Sequence, residues 1–536
     1  MEKHYATIWE SITDVIGDRE ALVHGENRLT WSQYDNRASR MAQALTEAGL
    51  GADSKIGLYL YNSNEYLEAQ YAGMKIRGVP INVNYRYLDD ELLYLLDNSD
   101  AEALFFHSSL GDRVARVMER AKKVRVWIQV DDGGESVPGA VAYEDLIAAH
   151  DPAARIKRAD DDLYMLYTGG TTGMPKGVMY DIGAMVQFFM SLGFPILGLG
   201  NPEPKEVASV VKASFDEGRN INSIPACPLM HGTGMWLGAF MPHLAGGKVI
   251  TLPSRSLDSS ELWQSVQDEK ATQVVIVGDA FAKPMLKALE EAKEAGRPYD
   301  LSSVGMIISS GVMWTTEVKQ AMLEWHGFML IDAMGSTEGS MGMQVTTRGN
   351  VGETARFSKG ENTKVFTEDG REVEPGSGEA GMVAAGGTVP RGYYKDEEKS
   401  AATFKTINGV RYSFPGDWAL VEADGTLTLL GRGSNCINTA GEKVYPEEVE
   451  EAVKQHDDVV DCLVVGVEDE KFGQRVTAVA SLIPESASDA DAVREFTRTK
   501  LAAYKVPKQI LIVDQVKRAP NGKADYKWAK NQIESQ

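Results

Sequence analysis

Cysteine is scarce in this chain. Its 536 residues hold three, Cys227, Cys436 and Cys462. That is too few to staple so long a fold, and no CxxC spacing suggests a metal or redox pair. A reducing compartment follows, and a cytoplasmic location is the expectation. Basic charge is also short: 55 Lys and Arg against 77 Asp and Glu leave a net charge of −22. That balance argues against a nucleic-acid partner, because phosphate backbones demand clustered cations. Any anionic ligand must be held by a local site inside an acidic, solubilising shell. The eight histidines show neither HxxxH nor HxH spacing, so no zinc site is expected. Long hydrophobic runs are missing too. The first twenty residues carry acidic side chains and no apolar core, and are not read as a signal peptide. The longest uncharged run, IGAMVQFFMSLGFPILGLG from Ile182 to Gly200, is interrupted by Pro195 and glycines. Too little continuous apolar helix remains to span a bilayer, which takes about 20 residues. The run reads either as a buried helix with its loop, or as an apolar tunnel wall or membrane-touching patch.

What is present is an ordinary globular composition long enough for about three or four folding units. Lys55 to Tyr61 reads as a strand, Glu65 to Gly78 as a helix with apolar spacing near 3.6, and Val79 to Asn84 as the next strand. The same rhythm returns between Ala271 and Gly311. Strand, helix, strand at this spacing predicts βαβ units and largely parallel sheets. From about Val351 the sequence turns Gly-rich and short-stranded, which predicts a β-rich subdomain. Beyond Asn435, Pro446 suits a helix N1 position, and Glu447 and Glu448 complement the helix dipole. Strands over 461–467, 475–483 and 509–516 and a helix over 489–501 complete a small unit. The fold expected is α/β: a large N-terminal unit of doubly wound sheets with a β-rich subdomain (1–434), and a small, mobile α+β unit (435–536).

YTGGTTGMPKGVM, from Tyr167 to Met179, follows a predicted strand and combines four Gly, three Thr and Lys176. Backbone N–H groups freed by glycine converge on an anion, hydroxyls add donors, and the lysine adds charge. A Walker A loop needs GxxxxGK[ST], whereas Lys176 lies between Pro175 and Gly177. Further along stand SSGVM (309–313), DAMGSTEG (332–339), YSFPGDWA (412–419), GRGSNCINTAGEKVYPEEVE (431–450) and RAPNGKADY (518–526). Singly these are weak. GSTE could be a turn or a helix cap, Asp417 a turn residue, and Lys523 solvated surface.

Together, and in this order, the motifs resemble the adenylate-forming acyl-CoA synthetases, over essentially the whole chain. The resemblance implies that Thr168, Gly169, Gly170, Thr171, Thr172, Gly173 and Lys176 wrap the β- and γ-phosphates of ATP. Ser310 and Gly311 would line the pocket between adenine and acyl group. Asp332, Ala333, Met334, Gly335, Ser336 and Thr337 would form the second nucleotide motif, with Met334 where Tyr is usual and Thr337 on the α-phosphate. Glu338 would hold Mg²⁺. Asp417 would accept the ribose hydroxyls, and Arg432 would contact ribose or phosphate. Asn435 would be the hinge, and Gly441 would lie near the pantetheine arm of CoA. Lys523 would be the catalytic lysine, a cation bridging two anionic reactants. His231, in PLMHGTGMW (228–236), reads equally as a structural hydrogen-bonding group or as a residue beside the substrate carboxylate.

The activity implied is two-step: acid and ATP give acyl-AMP and pyrophosphate, then the CoA thiol takes the acyl group and AMP leaves. INTAGEKVYPEEVE, GDAFAKP and SSGVMWT resemble a bacterial branch acting on fatty acids and steroid side-chain acids. Gly232, Gly234 and Gly238 within 230–240 suit a roomy apolar pocket. The partners expected are a small-molecule carboxylic acid, ATP and CoA, and a homodimer is common among such relatives. Three readings stay open beside this one, the first being a luciferase-like oxygenase, which would share the ATP motifs and still begin with adenylation. An acyl-AMP ligase loading a carrier protein would share every ATP motif, although no carrier domain follows Lys523. A non-catalytic nucleotide-binding protein is set against the joint presence of Lys176, Glu338, Asp417, Arg432 and Lys523.

Overall fold

The computed structural model describes residues 1–168, 174–439, 442–469, 473–501, 503–518 and 522–535, with the backbone alone at 434, 438, 442, 443 and 473. Residues 55–59 form a strand buried at every position. That pattern fits a parallel sheet covered on both faces. It pairs in parallel with Val79–Asn82 and Ala101–His107, and Val126–Val130 and Val141–Ala142 extend the sheet. The intervening helix, Asn64–Lys75, opens on Ser63, whose hydroxyl accepts from the Tyr66 N–H. The capped start is the N-terminal signature of a helix.

A second, larger sheet carries the site. Its first half is parallel, running through Glu20–His24, Lys248–Thr251, Asn222–Pro225, Gln273–Ile276, Met306–Ser310 and Met329–Ser336. Helices such as Ser259–Glu269 and Gly278–Glu294 alternate with these strands, as the βαβ rhythm predicts. At Met329–Ser336 the sheet changes character. That strand is parallel to Met306–Ser310 on one side and antiparallel to Gly339–Thr346 on the other. Every later strand of the sheet pairs antiparallel, through Arg356–Lys359, Leu427–Arg432, Asp417–Val421 and Ala380–Ala385. The β-rich region expected from about Val351 is therefore continuous with the parallel sheet, and it starts earlier, at Gly339. The core beneath is heavy with aromatics, including the fully buried Trp9, Trp31, Trp263 and Trp314.

A small antiparallel sheet of Leu163–Thr168, Lys176–Asp181 and Gly392–Tyr393 lies between. The last five-stranded sheet begins at Ile437–Thr439 and uses Glu442–Val444, Val459–Asp469, Gly473–Leu482 and Gln509–Ile512. Pro446 is the first residue of helix Pro446–Lys454, as expected. The final strand ends at Ile512, shorter than predicted, and a helix not anticipated from the sequence follows at Tyr526–Glu534, capped by Asp525 on the Trp528 N–H. Among the described residues, no helix is long and apolar enough to cross a membrane.

Candidate active site

The change of sheet character creates a sharp feature. Ser336 pairs with Gly339 across the ladder, so Thr337 and Glu338 are the two-residue turn of a tight β-hairpin. The GSTEG run thus projects Glu338 from the sheet end, and Tyr180 props the turn from below by donating to the Thr337 carbonyl at 3.0 Å. The Glu338 N–H donates to Ser336 Oγ at 3.1 Å. Its carboxylate accepts from the Tyr393 hydroxyl at 2.8 Å and is placed to meet a hard cation. One strand away, Ser310 Oγ donates to the Ala333 carbonyl at 2.8 Å, tying the two motif segments together.

Beside this floor, Thr168 pairs with Lys176 across the small antiparallel sheet. Thr168 and Lys176 thus stand opposite each other where the Gly/Thr loop leaves and rejoins the described residues. Gly169 to Gly173, the residues expected on phosphates, lie outside the described residues, as does Gly441. Lys176 is at the mouth of that loop, 2.6 Å from Asp396 and over the Tyr393 ring at 5.6 Å.

On the antiparallel half of the large sheet, Asp417 and Arg432 face each other across the ladder, with Nε 3.5 Å from Oδ1. The Phe414–Pro415 pair before Asp417 is held locally: the Phe414 N–H donates to the Thr403 carbonyl and its ring lies 5.9 Å from that of Phe366. Asp417 is buried, and its Oδ2 meets no donor among the described residues. Burial pushes this carboxyl above its ordinary value, with Arg432 opposing. An orphaned buried acceptor is rare in native proteins, and a sugar hydroxyl would satisfy it.

Lys523 reaches the same place from the last sheet's unit and lines the central cavity. Burial, then Arg432, lowers its pKa, while Glu338 and Asp417 raise it. Two contacts set its approach. Arg518 clamps Asp461 bidentately at 2.6 and 2.7 Å and donates to the Gly522 carbonyl. Gly522 has φ +77°, and a Cβ there would stand 3.0 Å from Ala280 Cβ. Glycine is what permits both the left-handed backbone and the close approach.

The cavity, about 260 Å³, joins Lys523 to Ser310 and the hairpin turn, while Lys176, Glu338, Asp417 and Arg432 are not among its lining residues. Its polar end is lined by Thr168, Ser310, Gly311, Ala333, Met334, Gly335, Ser336, Thr337 and Lys523, and its apolar wall by Met185, Phe188, Phe189, Leu192, Trp236 and Leu237. The uncharged run is helix Ile182–Ile196, at once a largely buried helix and an apolar pocket wall. The Trp236 indole N–H donates to the Tyr164 hydroxyl at 2.8 Å, fixing one side. His231 lies between wall and floor. Burial first, then Lys523 and Arg86, lowers its pKa to about 4, so the imidazole is neutral at neutral pH. Burial pushes the Cys227 thiol, also on the cavity, up to about 12. It is a packing group there, because the thiolate is the reactive form.

Two expectations need correction. Asp332 does not line the cavity: it is buried behind the floor, 2.8 Å from Lys319 Nζ, which also donates to Gln344. Its charge is committed to that internal pair. Gly234 and Gly238 do not widen the pocket either. A Cβ at Gly234 would meet the Pro228 carbonyl at 2.4 Å, and one at Gly238 would meet Pro225 Cβ at 2.6 Å. They allow backbone packing behind the wall, and of the three only Gly232 faces the cavity. Sequence reasoning also passed over Tyr393, Asp396 and Asn82. Asn82 ties the Tyr167 backbone to the Met230 carbonyl through three hydrogen bonds of 2.6–2.8 Å. A polar residue inside the otherwise apolar VPINVN strand was the available signal.

Comparison with known proteins agrees with this geometry. The AMP-binding enzyme family model matches residues 10–394, and the AMP-binding enzyme C-terminal domain model matches residues 448–523. The chain is 42% identical over 542 residues to the 3-oxocholest-4-en-26-oate–CoA ligase of Rhodococcus rhodochrous, covering 99% of this chain and 96% of that protein. It is 40% identical over 547 residues to a medium/long-chain-fatty-acid–CoA/3-oxocholest-4-en-26-oate–CoA ligase of Mycolicibacterium smegmatis, covering 100% and 97%. Among solved structures, the anthranilate CoA ligase AuaEII in complex with anthranoyl-AMP has the same fold, with a TM-score of 0.84 at 21% identity over 99% of this chain and 98% of that one.

Proposed function

The chain belongs to the AMP-binding enzyme family and is an acid–thiol ligase, and from that premise we propose that it activates a long or bulky hydrophobic carboxylic acid as acyl-AMP and transfers the acyl group to CoA. The observation that carries this reading is the single cavity that joins an apolar wall, a hairpin-turn floor and a lysine from the small unit. The relatives' names point to medium- and long-chain fatty acids and to steroid side-chain acids such as 3-oxocholest-4-en-26-oate.

The chemistry follows from the groups in place. The acid's hydrocarbon lies against Phe188, Leu192 and Trp236, and its carboxylate faces Lys523 and His231. The carboxylate oxygen attacks the α-phosphorus of ATP, and the bond to the β-phosphate oxygen breaks with departure of pyrophosphate. Lys523, a partly desolvated ammonium between anionic partners, steadies the charge of that step more strongly than it could in water. Asp417 Oδ2 receives a ribose hydroxyl, and the hairpin turn holds the phosphate side. Glu338 would hold Mg²⁺. One carboxylate beside phosphate oxygens is a usual set for that ion, and among the described residues no cluster of three or more His, Cys, Asp or Glu forms a protein-only metal site. When bound, the ion neutralises phosphate charge.

In the second step the thiol sulfur of CoA attacks the acyl carbonyl and AMP leaves. We assign residues 1–434 and 435–536 as the two working units, turning about Asn435. Asn435 ends a short helical turn, Gly433–Asn435, and its side chain bonds Glu447. A cytoplasmic location is part of this proposal, and the free Cys227, Cys436 and Cys462 support it.

The test is acid-dependent pyrophosphate release from ATP and Mg²⁺, with and without CoA, across short, long-chain and steroidal acids, with Lys523→Ala beside wild type. Formation of acyl-CoA from a long-chain or steroidal acid, with release abolished in Lys523→Ala, supports the reading. Acyl-AMP that CoA never accepts would move the acceptor to a carrier thiol. ATP binding without release for any acid would favour a non-catalytic nucleotide binder.

A further inference from the structure

Lys176 and Glu338 carry opposite charges and both meet Tyr393, yet they are not paired with each other. Lys176 takes Asp396 at 2.6 Å, and Glu338 takes the Tyr393 hydroxyl at 2.8 Å. Between them stands the Tyr393 ring, with Lys176 Nζ over its face at 5.6 Å. Tyr393 is itself held from several directions. Gly392 and Tyr393 pair with Met179 and Val178 on the strand that Lys176 begins. The Tyr393 N–H donates to Ser400 Oγ at 2.8 Å, and the ring lies 5.3 Å from that of Phe404. Asp396 is fixed in turn, because it caps helix Glu397–Thr403 by accepting from the Lys399 N–H.

We propose that Tyr393 is a positioning residue for the metal–phosphate centre, an inference that rests on the reading of Glu338 as the Mg²⁺ carboxylate. It acts in two ways. Its hydroxyl donates to Glu338 Oε1, which would orient the carboxylate of a half-buried two-residue turn toward a bound cation. Its ring keeps Lys176 from collapsing onto Glu338 before nucleotide arrives, while Asp396 gives the lysine another partner. A direct Lys–Glu contact would neutralise the group that meets the cation and the group that meets the phosphates at once. A hydrogen bond to an ionised acceptor is among the stronger ones, and residues that orient a metal carboxylate commonly control metal affinity.

Tyr393→Phe separates these roles, because it keeps the ring and the lysine contact and removes only the hydroxyl. Calorimetric titration without acid, where no turnover occurs, compares Mg²⁺·ATP with ATP in excess EDTA. The expected result is a loss of about 10-fold in affinity for Mg²⁺·ATP, with metal-free ATP bound as by wild type. Unchanged Mg²⁺·ATP affinity overturns the proposal, and so does an equal loss in both titrations, which is the mark of a displaced ring. Glu338→Gln is run alongside. If it weakens Mg²⁺·ATP and Tyr393→Phe does not, this inference alone falls. If neither weakens it, the inference falls together with the reading of Glu338.

Discussion

At the scale of single residues, the cavity is governed by burial acting on charge. His231 is held neutral chiefly because an imidazolium would be desolvated there, and secondarily because Lys523 and Arg86 repel it. Its pKa in the folded protein, about 4, lies below the ordinary 6.5. The unfolded chain therefore binds the extra proton first, and His231's contribution to stability, complete above pH 6.5, is lost as pH falls through the window from 6.5 to 4. By NMR, the His231 ring should titrate near 4 and show no transition near 6.5. In Lys523→Ala its pKa should rise, because one repelling charge is gone. His243 is lowered to about 4 by burial, with no contribution from Lys523, and should not move. Equal movement of both would point to a general loosening, and movement of neither would remove Lys523 from the neighbourhood of His231.

At the scale of elements, two segments control what the cavity does. Gly522 immediately precedes Lys523, and Gly522→Ala adds a methyl at 3.0 Å from Ala280 on a left-handed backbone. With about 1–2 kcal/mol of backbone strain alone, acid-dependent ATP–pyrophosphate exchange should fall about 10-fold. Transfer to CoA from supplied acyl-AMP should persist. Equal loss in both assays would show a global defect instead. Helix Ile182–Ile196 bounds the side of the cavity that the proposed function gives to the acid, and Leu192→Trp should reject bulky acids by about 10-fold or more in kcat/KM while short acids are retained, since overfilling a packed wall costs about 1–3 kcal/mol. A uniform loss across the acid panel would contradict that role.

These elements also show how far sequence carries. The strand–helix rhythm of residues 55–84 was legible because buried parallel strands are continuously apolar and their helices periodic. GSTEG was legible as chemistry but not as geometry. Nothing local says that residues 337 and 338 are a hairpin turn, because the partner strand defines it. Asp332 misled for the opposite reason: it sits in the motif, but Lys319, thirteen residues earlier, claims its charge. Tyr393 and Asp396 were invisible because their targets lie 55 and 220 residues away in sequence.

At the scale of the whole molecule, the groups that the proposed function assigns to one nucleotide come from the units of two different sheets. Asp417, Arg432 and the hairpin turn belong to the large sheet, and Lys523 belongs to the last unit. A ligand touching both should stabilise both. At a concentration about 100 times Kd it adds roughly 2.7 kcal/mol to whatever it binds. In differential scanning calorimetry, a non-hydrolysable acyl-AMP analogue should raise the unfolding transitions of the two units together. If only the transition of the large unit moves, the nucleotide site does not extend to the small unit.

The strand Met329–Ser336, parallel on one flank and antiparallel on the other, has a consequence for how such a chain can change through descent. In the proposed function its end would supply the nucleotide floor, whereas the surface that would meet the acid comes from a helix far away in sequence, Ile182–Ile196, and from the segment around Trp236. Substitutions in the latter alter which acid is admitted without touching the hydrogen bonds that fix the former. On that reading, choice of acid and activation chemistry are separately heritable within one polypeptide, so descent can retune the first while the second stays under its old constraint.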